Sequence, residues 1–377
     1  MSTALNLLDP CRQEQARDYN RLSRRFQMLE VLLGMIVLLV ILLSGLSGSL
    51  RNMLAFPEPV RVAAYFIILM LVLGILSAPL SYYRSFVLAH RYGLSNQNRT
   101  SWLADQVKGE SLGLVLSTSL VVIIYLFLRA FPETWWLLAF ATVTLAMIVM
   151  SKLAPVIIFP LFYELEPLKD TGLRQRLLDL SERTSIRVND ISQIKFSNKT
   201  SAANAMLMGW GGTRRIALSD TLLKDYTPEE IEVIAAHEFG HQYHNDMARL
   251  IGIQAFLMFV GFYLVNMVLN WAVPRMGFQG LSDVAALPLL ALVLAAAAIL
   301  LAPLANYFSR RIEEAADDYA LAATANPEAF SSMLGKLTNQ NLIESDPGTI
   351  VELLFHDHPT YSKRLSVARR YRDEVRQ

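Results

Sequence analysis

Six stretches of this chain are too apolar and too long to be left in water. They cover residues 31–50, 62–80, 112–128, 135–150, 251–271 and 287–307, and an α-helix of roughly 20 residues spans the hydrocarbon of a bilayer. Buried helices of a large soluble enzyme are the alternative, and it suits 112–128 best, but soluble cores rarely string so many such segments together. Composition agrees: 53% hydrophobic against 18% charged residues is too apolar for an ordinary soluble domain. The sequence therefore predicts a mainly α, polytopic membrane protein with the lipid bilayer as its first partner.

The first apolar stretch follows Arg12, Arg17, Arg21, Arg24 and Arg25, which raises a cleaved signal peptide as an option. Its apolar core outlasts the 7–15 residues of such a peptide, and Ser44-Gly45-Leu46-Ser47-Gly48 is a mediocre cleavage site, so an uncleaved helix is expected. Cys11 is the only cysteine. No internal disulfide can form, and any metal must sit on histidine and carboxylate. A net charge of +1, with no basic stripe interleaved with aromatics, sets nucleic acid aside as a partner.

The apolar stretches divide the chain into a four-span membrane part (1–163), a polar segment (164–249), a two-span hairpin (250–308) and a second polar segment (309–377). Pro155, Pro160 and Pro167 mark the exit of span four, because proline interrupts or ends a helix. Lys and Arg concentrate before span one, between spans two and three (Arg84, Arg91, Arg99, Lys108) and after span six (Arg310, Arg311, Lys363, Arg364). The positive-inside rule then puts these parts, and both polar segments, in the cytoplasm. The membrane would be the inner membrane of a bacterium or the endoplasmic reticulum of a eukaryote. Spans five and six leave one polar segment and return to the same face, so residues far apart in sequence can build one site.

The chemistry starts at Thr227-Pro228-Glu229-Glu230, a helix opening with an N-cap, proline at the first position and a capping box. That helix runs into His237-Glu238-Phe239-Gly240-His241. Residues four apart share a helical face, so His237 and His241 can both reach one Zn²⁺ while Glu238 stands beside them as a base for water. A catalytic zinc usually needs a third protein ligand. His244 is one option, although a zincin with three histidines would place the third where Met247 sits. A better source is the stretch from Ser309 to Asp317, where span six returns: Glu313 and Asp317 are four apart on one helical face, so one can bind the metal while the other orients a ligating histidine. A solvated charged helix is the bland reading of the same residues.

Asn204-Ala205-Met206-Leu207-Met208 and Arg215-Ile216-Ala217-Leu218, around Gly209-Trp210-Gly211-Gly212-Thr213, predict a hairpin. Its edge can pair with an extended peptide, or the hairpin can be purely structural. His358, in His356-Asp357-His358-Pro359, and Arg364 are surface residues or donors to the oxyanion of a tetrahedral intermediate.

These residues resemble the CAAX prenyl protease 1 (type I prenyl endopeptidase) family of integral membrane zinc peptidases, with HtpX-type proteases more distant. The likeness runs from about residue 62 onward. It includes Tyr92-Gly93-Leu94-Ser95, the run from Trp102 to Lys108, Pro160-Leu161-Phe162, Glu166-Pro167-Leu168, Asn204-Ala205, the run from Arg215 to Leu223, the His237 to His241 motif, Ser309-Arg310, Glu313, Ala316-Asp317, His358-Pro359 and Arg364. The resemblance implies a gluzincin-like catalytic domain with a small β-sheet and one Zn²⁺ on His237, His241 and Glu313. It implies Asp317 behind the metal, and Asn204, Ala205, His358 and Arg364 near the bound peptide. Eukaryotic members have seven spans around an intramembrane chamber, and this chain lacks the first. The expected activity is a metalloendopeptidase acting on prenylated C-termini or, as the alternative, on other membrane-associated chains in quality control. A scaffold or transporter is the reading of another class, but it would have no chemical need for Glu238.

Overall fold

The computed structural model describes residues 7–209 and 214–375. Six helices in it are long and apolar enough to cross a membrane: Pro10–Leu43, Glu58–Arg91, Arg99–Ala130, Trp135–Phe162, Asp246–Ala272 and Val284–Thr324. Their outer faces are apolar and bare, with Leu43 72%, Ile75 71% and Leu300 75% exposed. Lipid is the solvent that such faces require.

The helix ends correct the sequence reading in three places. Span one does not run to residue 50: it stops at Leu43, Gly45 turns the chain at φ +80°, and a separate helix, Leu46–Met53, follows. It also starts far earlier, at Pro10, where Asp9 accepts hydrogen bonds from the Cys11 and Arg12 amides. At 1.5 Å per residue this helix is roughly 50 Å long, well beyond the ~30 Å hydrocarbon, so the arginine-rich part is its polar extension. Span three is not short: Asn98 caps a helix of 32 residues, Arg99–Ala130. Span four is not ended by Pro155. The helix widens into a π turn at Ala154–Ile158 and continues as Phe159–Phe162, leaving only Pro167 outside it, in a strand. A π turn absorbs the backbone groups that proline leaves unpaired.

Several polar groups among the spans find partners within the protein, as a medium without water favours. The fully buried Trp135 donates through Nε1 to Asn266 Oδ1 at 2.8 Å, joining span four to span five. Ser47 meets the Tyr65 hydroxyl at 2.6 Å and donates to the Ala285 carbonyl, while Arg51 pairs with Asp283. The Leu46–Met53 helix is thereby tied to the loop between spans five and six.

The polar segments build one compact unit at the other end of the spans. Four strands, β1 (Leu165–Pro167), β2 (Asp190–Ile194), β3 (Ala205–Met208) and β4 (Arg215–Ser219), form a sheet in the order β1-β2-β4-β3. β2 and β4 are parallel, and β3 and β4 form the expected antiparallel hairpin with Leu207 opposite Ile216. Residues 210–213 of its turn lie outside the described residues. β3 is an edge strand.

Ile191, Ile216 and Leu218 of the sheet pack with Leu177, Phe239 and Phe330 in one core. Burying a side chain such as Phe239 completely contributes about 1.5–3 kcal/mol. The HExxH helix, Pro228–Tyr243, lies against the extension of span six. A Cβ at Gly240 would stand 3.0 Å from Ala316 Cα and 3.2 Å from its carbonyl oxygen, so glycine is what lets the two backbones approach.

The N-terminal extension of span one is bound into this unit. Arg12 Nε donates to the Asn339 carbonyl, Asn20 Nδ2 to the Leu342 carbonyl at 2.7 Å, and Arg24 pairs with Glu344 at 2.9 Å. The segments 1–163 and 309–377 are therefore interleaved in space.

Candidate metal centre

The HExxH helix begins as its sequence directs. Thr227 Oγ1 accepts from the Glu230 amide, and Glu230 Oε2 accepts from the Thr227 amide at 2.8 Å. Lys336 and Ser332 also bond the buried Glu230 carboxylate, so the cap is anchored to the Pro327–Gln340 helix. The register this sets puts His237 and His241 on one face, opposite Glu313 from span six.

His237 Nε2 is 3.3 Å from Glu313 Oε2, and His241 Nε2 is 3.5 Å from Glu313 Oε1. One ligand atom from each of the three residues lies within 4.8 Å of the others. Two donors bound tetrahedrally to one Zn²⁺ at 2.0–2.2 Å are about 3.3–3.5 Å apart. Glu313 Oε2 is buried without a hydrogen-bond partner, a costly state for a carboxylate unless a cation completes it. Two imidazoles and a carboxylate without sulfur are also the donor set of many catalytic zinc sites. On geometry and chemistry the cluster fits the metal.

Each histidine is held from behind. His237 Nδ1 lies 2.9 Å from Asp317 Oδ1, close enough for an ion pair although not aimed squarely along a hydrogen bond. Asp317 is fully buried and takes two bonds from Arg364, through Nε at 2.7 Å and Nη2 at 2.6 Å. Arg364 thus faces Asp317 with two of its donors, and it also lines the cavity beside His237. His241 Nδ1 is 3.0 Å from Asp246 Oδ2, and Asp246, itself buried, pairs with Arg249 at 3.3 Å. Burial disfavours a proton on His237, yet the Asp317 and Glu313 carboxylates outweigh it and hold the ring up to about 10. A cation entering the site competes with that proton.

Glu238 projects beside the cluster and accepts from the Leu207 amide of β3 at 3.3 Å. Burial raises its carboxyl above the ordinary range, the direction that suits a general base. His358, half-exposed, places Nε2 3.4 Å from Glu313 Oε1. Its other nitrogen bonds Asp357 at 2.8 Å, and that carboxylate raises its pKa. Asn204 and Ala205 share a cavity of about 400 Å³ with His237, Glu238, His358 and Arg364.

His244 lies apart from the cluster. It is the C-cap of the helix, its ring 6.0 Å from that of Tyr319. Asn245 then takes the left-handed conformation, φ 55°, and the turn delivers Asp246 to His241. Sequence reasoning missed Asp246, although a carboxylate just past the HExxH turn was a usable signal. It also missed Asn341, whose side chain bonds both backbone groups of Ala203, at 2.8 and 2.9 Å, and so fixes the chain entering β3. No spacing in the sequence points to that residue.

If Asp246 orients His241, Asp246→Ala will weaken affinity for added Zn²⁺ by about 10–100-fold, the usual effect of losing a carboxylate behind a metal-bound histidine. A competitive chelator titration on the folded variant measures this. Unchanged affinity would assign Asp246 to the fold alone.

Comparison with known proteins accords with this geometry. Residues 5–164 match a family model described as the CAAX prenyl protease N-terminal region, five membrane helices, and residues 167–372 match the model for peptidase family M48. Four spans, not five, lie in the first of these regions among the described residues. The uncharacterized metalloprotease YhfN of Bacillus subtilis is 27% identical over 372 residues, covering 96% of this chain and 87% of that protein. CAAX prenyl protease 1 of Saccharomyces cerevisiae is 31% identical over 203 residues, 50% of this chain and 44% of that one, so the match spans less than half of the yeast protein. The crystal structure of S. mikatae Ste24p shares the fold with a TM-score of 0.86 at 22% identity, over 96% of this chain and 90% of that one. A HExxH helix closed by a carboxylate from a returning membrane span, in a chain matched by these two models almost end to end, makes this integral multi-pass protein a metalloendopeptidase belonging to peptidase family M48.

Proposed function

We propose that His237, His241 and Glu313 hold one Zn²⁺ and that the protein cleaves peptide bonds of membrane-associated chains, with CAAX-type prenylated C-termini as the substrate class its relatives favour. The observation that carries this is the single cavity in which Ala205 of the β3 edge, Glu238 and His237 of the cluster meet. Zinc held there supplies Lewis acidity, polarising the scissile carbonyl and lowering the pKa of water. An extended substrate lies along β3, where backbone pairing fixes its register. Glu238 takes the proton of the attacking water and passes it to the leaving amine. His358 donates to the oxyanion as the carbonyl carbon becomes tetrahedral. Asp317, with Arg364 behind it, and Asp246 keep the two imidazoles aimed.

Glu238→Gln will keep its zinc and lose at least about 100-fold in turnover, the scale of a lost general base. Turnover is followed on a farnesylated peptide and on its unprenylated twin, beside metal content. Wild-type turnover in the variant removes Glu238 from the mechanism, whereas equal cleavage of both peptides by the wild type removes only the prenyl requirement.

The catalytic end is assigned to the cytoplasm from the charge bias of the loops. In a Cys11→Ser background, Asp225→Cys and Glu328→Cys are expected to resist an impermeant thiol reagent outside intact cells and to react after permeabilisation. Gln279→Cys, between spans five and six, is expected to react from outside at once. Labelling of Asp225→Cys and Glu328→Cys from outside would reverse the orientation.

A further inference from the structure

Spans five and six line two grooves. One, lined by Gln254, Gly261, Ala298 and Asn306 among others, contains no arginine. The other, of about 660 Å³, runs between Gly252, Phe256, Leu304 and Phe308 and is closed at its catalytic end by Arg249 and Arg311. Positions 249, 252, 256 and 304, 308, 311 each follow the three- and four-residue spacing of one helical face, so each helix contributes an apolar wall with an arginine at its polar end.

We propose that this second groove is a binding site for one anionic phospholipid, its acyl chains against Phe256 and Leu304 and its phosphate between Arg249 and Arg311. Three observations carry the assignment. First, the walls belong to membrane spans and are exposed, Phe256 at 63% and Leu304 at 42%, so lipid is what covers them. Second, Arg249 lies in the first turn of the span five helix, and Arg311 lies where span six leaves the apolar region, with Tyr307 beside it at 5.8 Å. Arginine and aromatic rings at one level mark the headgroup layer. Third, both side chains are more than half exposed, at 54% and 64%, and each has one ion pair on its own helix, to Asp246 and Glu314. A guanidinium carries five N–H donors in a fork suited to phosphate, so donors remain for a ligand. The site lies close to the metal centre, since Arg249 pairs with Asp246 and Asp246 bonds His241.

The test uses the full-length protein in vesicles of phosphatidylcholine with a minority of phosphatidylglycerol. Native mass spectrometry then reads the lipids that leave the vesicles with it. Each arginine near an anionic headgroup contributes about fivefold, so the ratio of bound phosphatidylglycerol to phosphatidylcholine is expected to be at least about fivefold above that of the vesicles. R249Q/R311Q is expected to return it to the vesicle ratio. Gly252→Leu fills the groove with both arginines intact; a Cβ there has no atom within 4 Å, so the helix can accept it. Enrichment is expected to fall in that variant too, and to persist in R275Q at the other end of span five. Three outcomes would overturn the proposal: no enrichment in the wild type, enrichment surviving R249Q/R311Q, or loss in R249Q/R311Q with retention in Gly252→Leu. The last would mean diffuse attraction to a basic surface.

Discussion

The close approach of two helices at Gly240 and Ala316 is the contact on which the rest of the molecule depends. One helix brings His237 and His241, and the other, continuous with span six, brings Glu313 and Asp317. With no side chain at Gly240 the backbones come near enough for Glu313 to stand 3.3 Å from His237 and 3.5 Å from His241. A larger residue there would separate the ligands without changing any of them. The metal centre is thus a packing result before it is a chemical one. Glu313, the third ligand proposed for it, is carried on a membrane helix, so its place in the site follows from that span.

Around that contact each imidazole has a carboxylate behind it. Asp317 and Asp246 lie behind the two imidazoles, and each carboxylate is in turn held by an arginine. Buried charges are expensive unless paired and bonded, so these two arms would be a poor investment for stability alone. They make sense as a way to fix ring orientation around a cation. The spans supply the complementary rigidity at the far end, where Arg51 and Asp283 join the Leu46–Met53 helix to the loop between spans five and six.

Much of this was legible in the sequence because the relevant signals are local or periodic. Apolar length gave six spans, and helical spacing gave the His237 and His241 face. Parity of the spans allowed Glu313 to be paired with it. What was not legible depends on geometry that spacing does not encode. Span one extends back to Pro10 because its polar half is zipped to residues 339–344, a contact more than 300 positions away. Span four passes Pro155 because a π turn absorbs it. Arg364 bonds a carboxylate on another helix, and Asn341 imitates a strand beside Ala203. Asp246 reaches His241 through a left-handed residue, Asn245, that no periodic pattern announces.

We assign completion of the metal site to a carboxylate from span six and not to the nearby His244. Metal analysis of the purified Glu313→Ala and His244→Ala proteins, each reconstituted with Zn²⁺ and then dialysed, distinguishes the two residues. Glu313→Ala is expected to retain far less than one zinc per chain, while His244→Ala stays close to one. Full zinc in Glu313→Ala together with loss in His244→Ala would contradict that assignment.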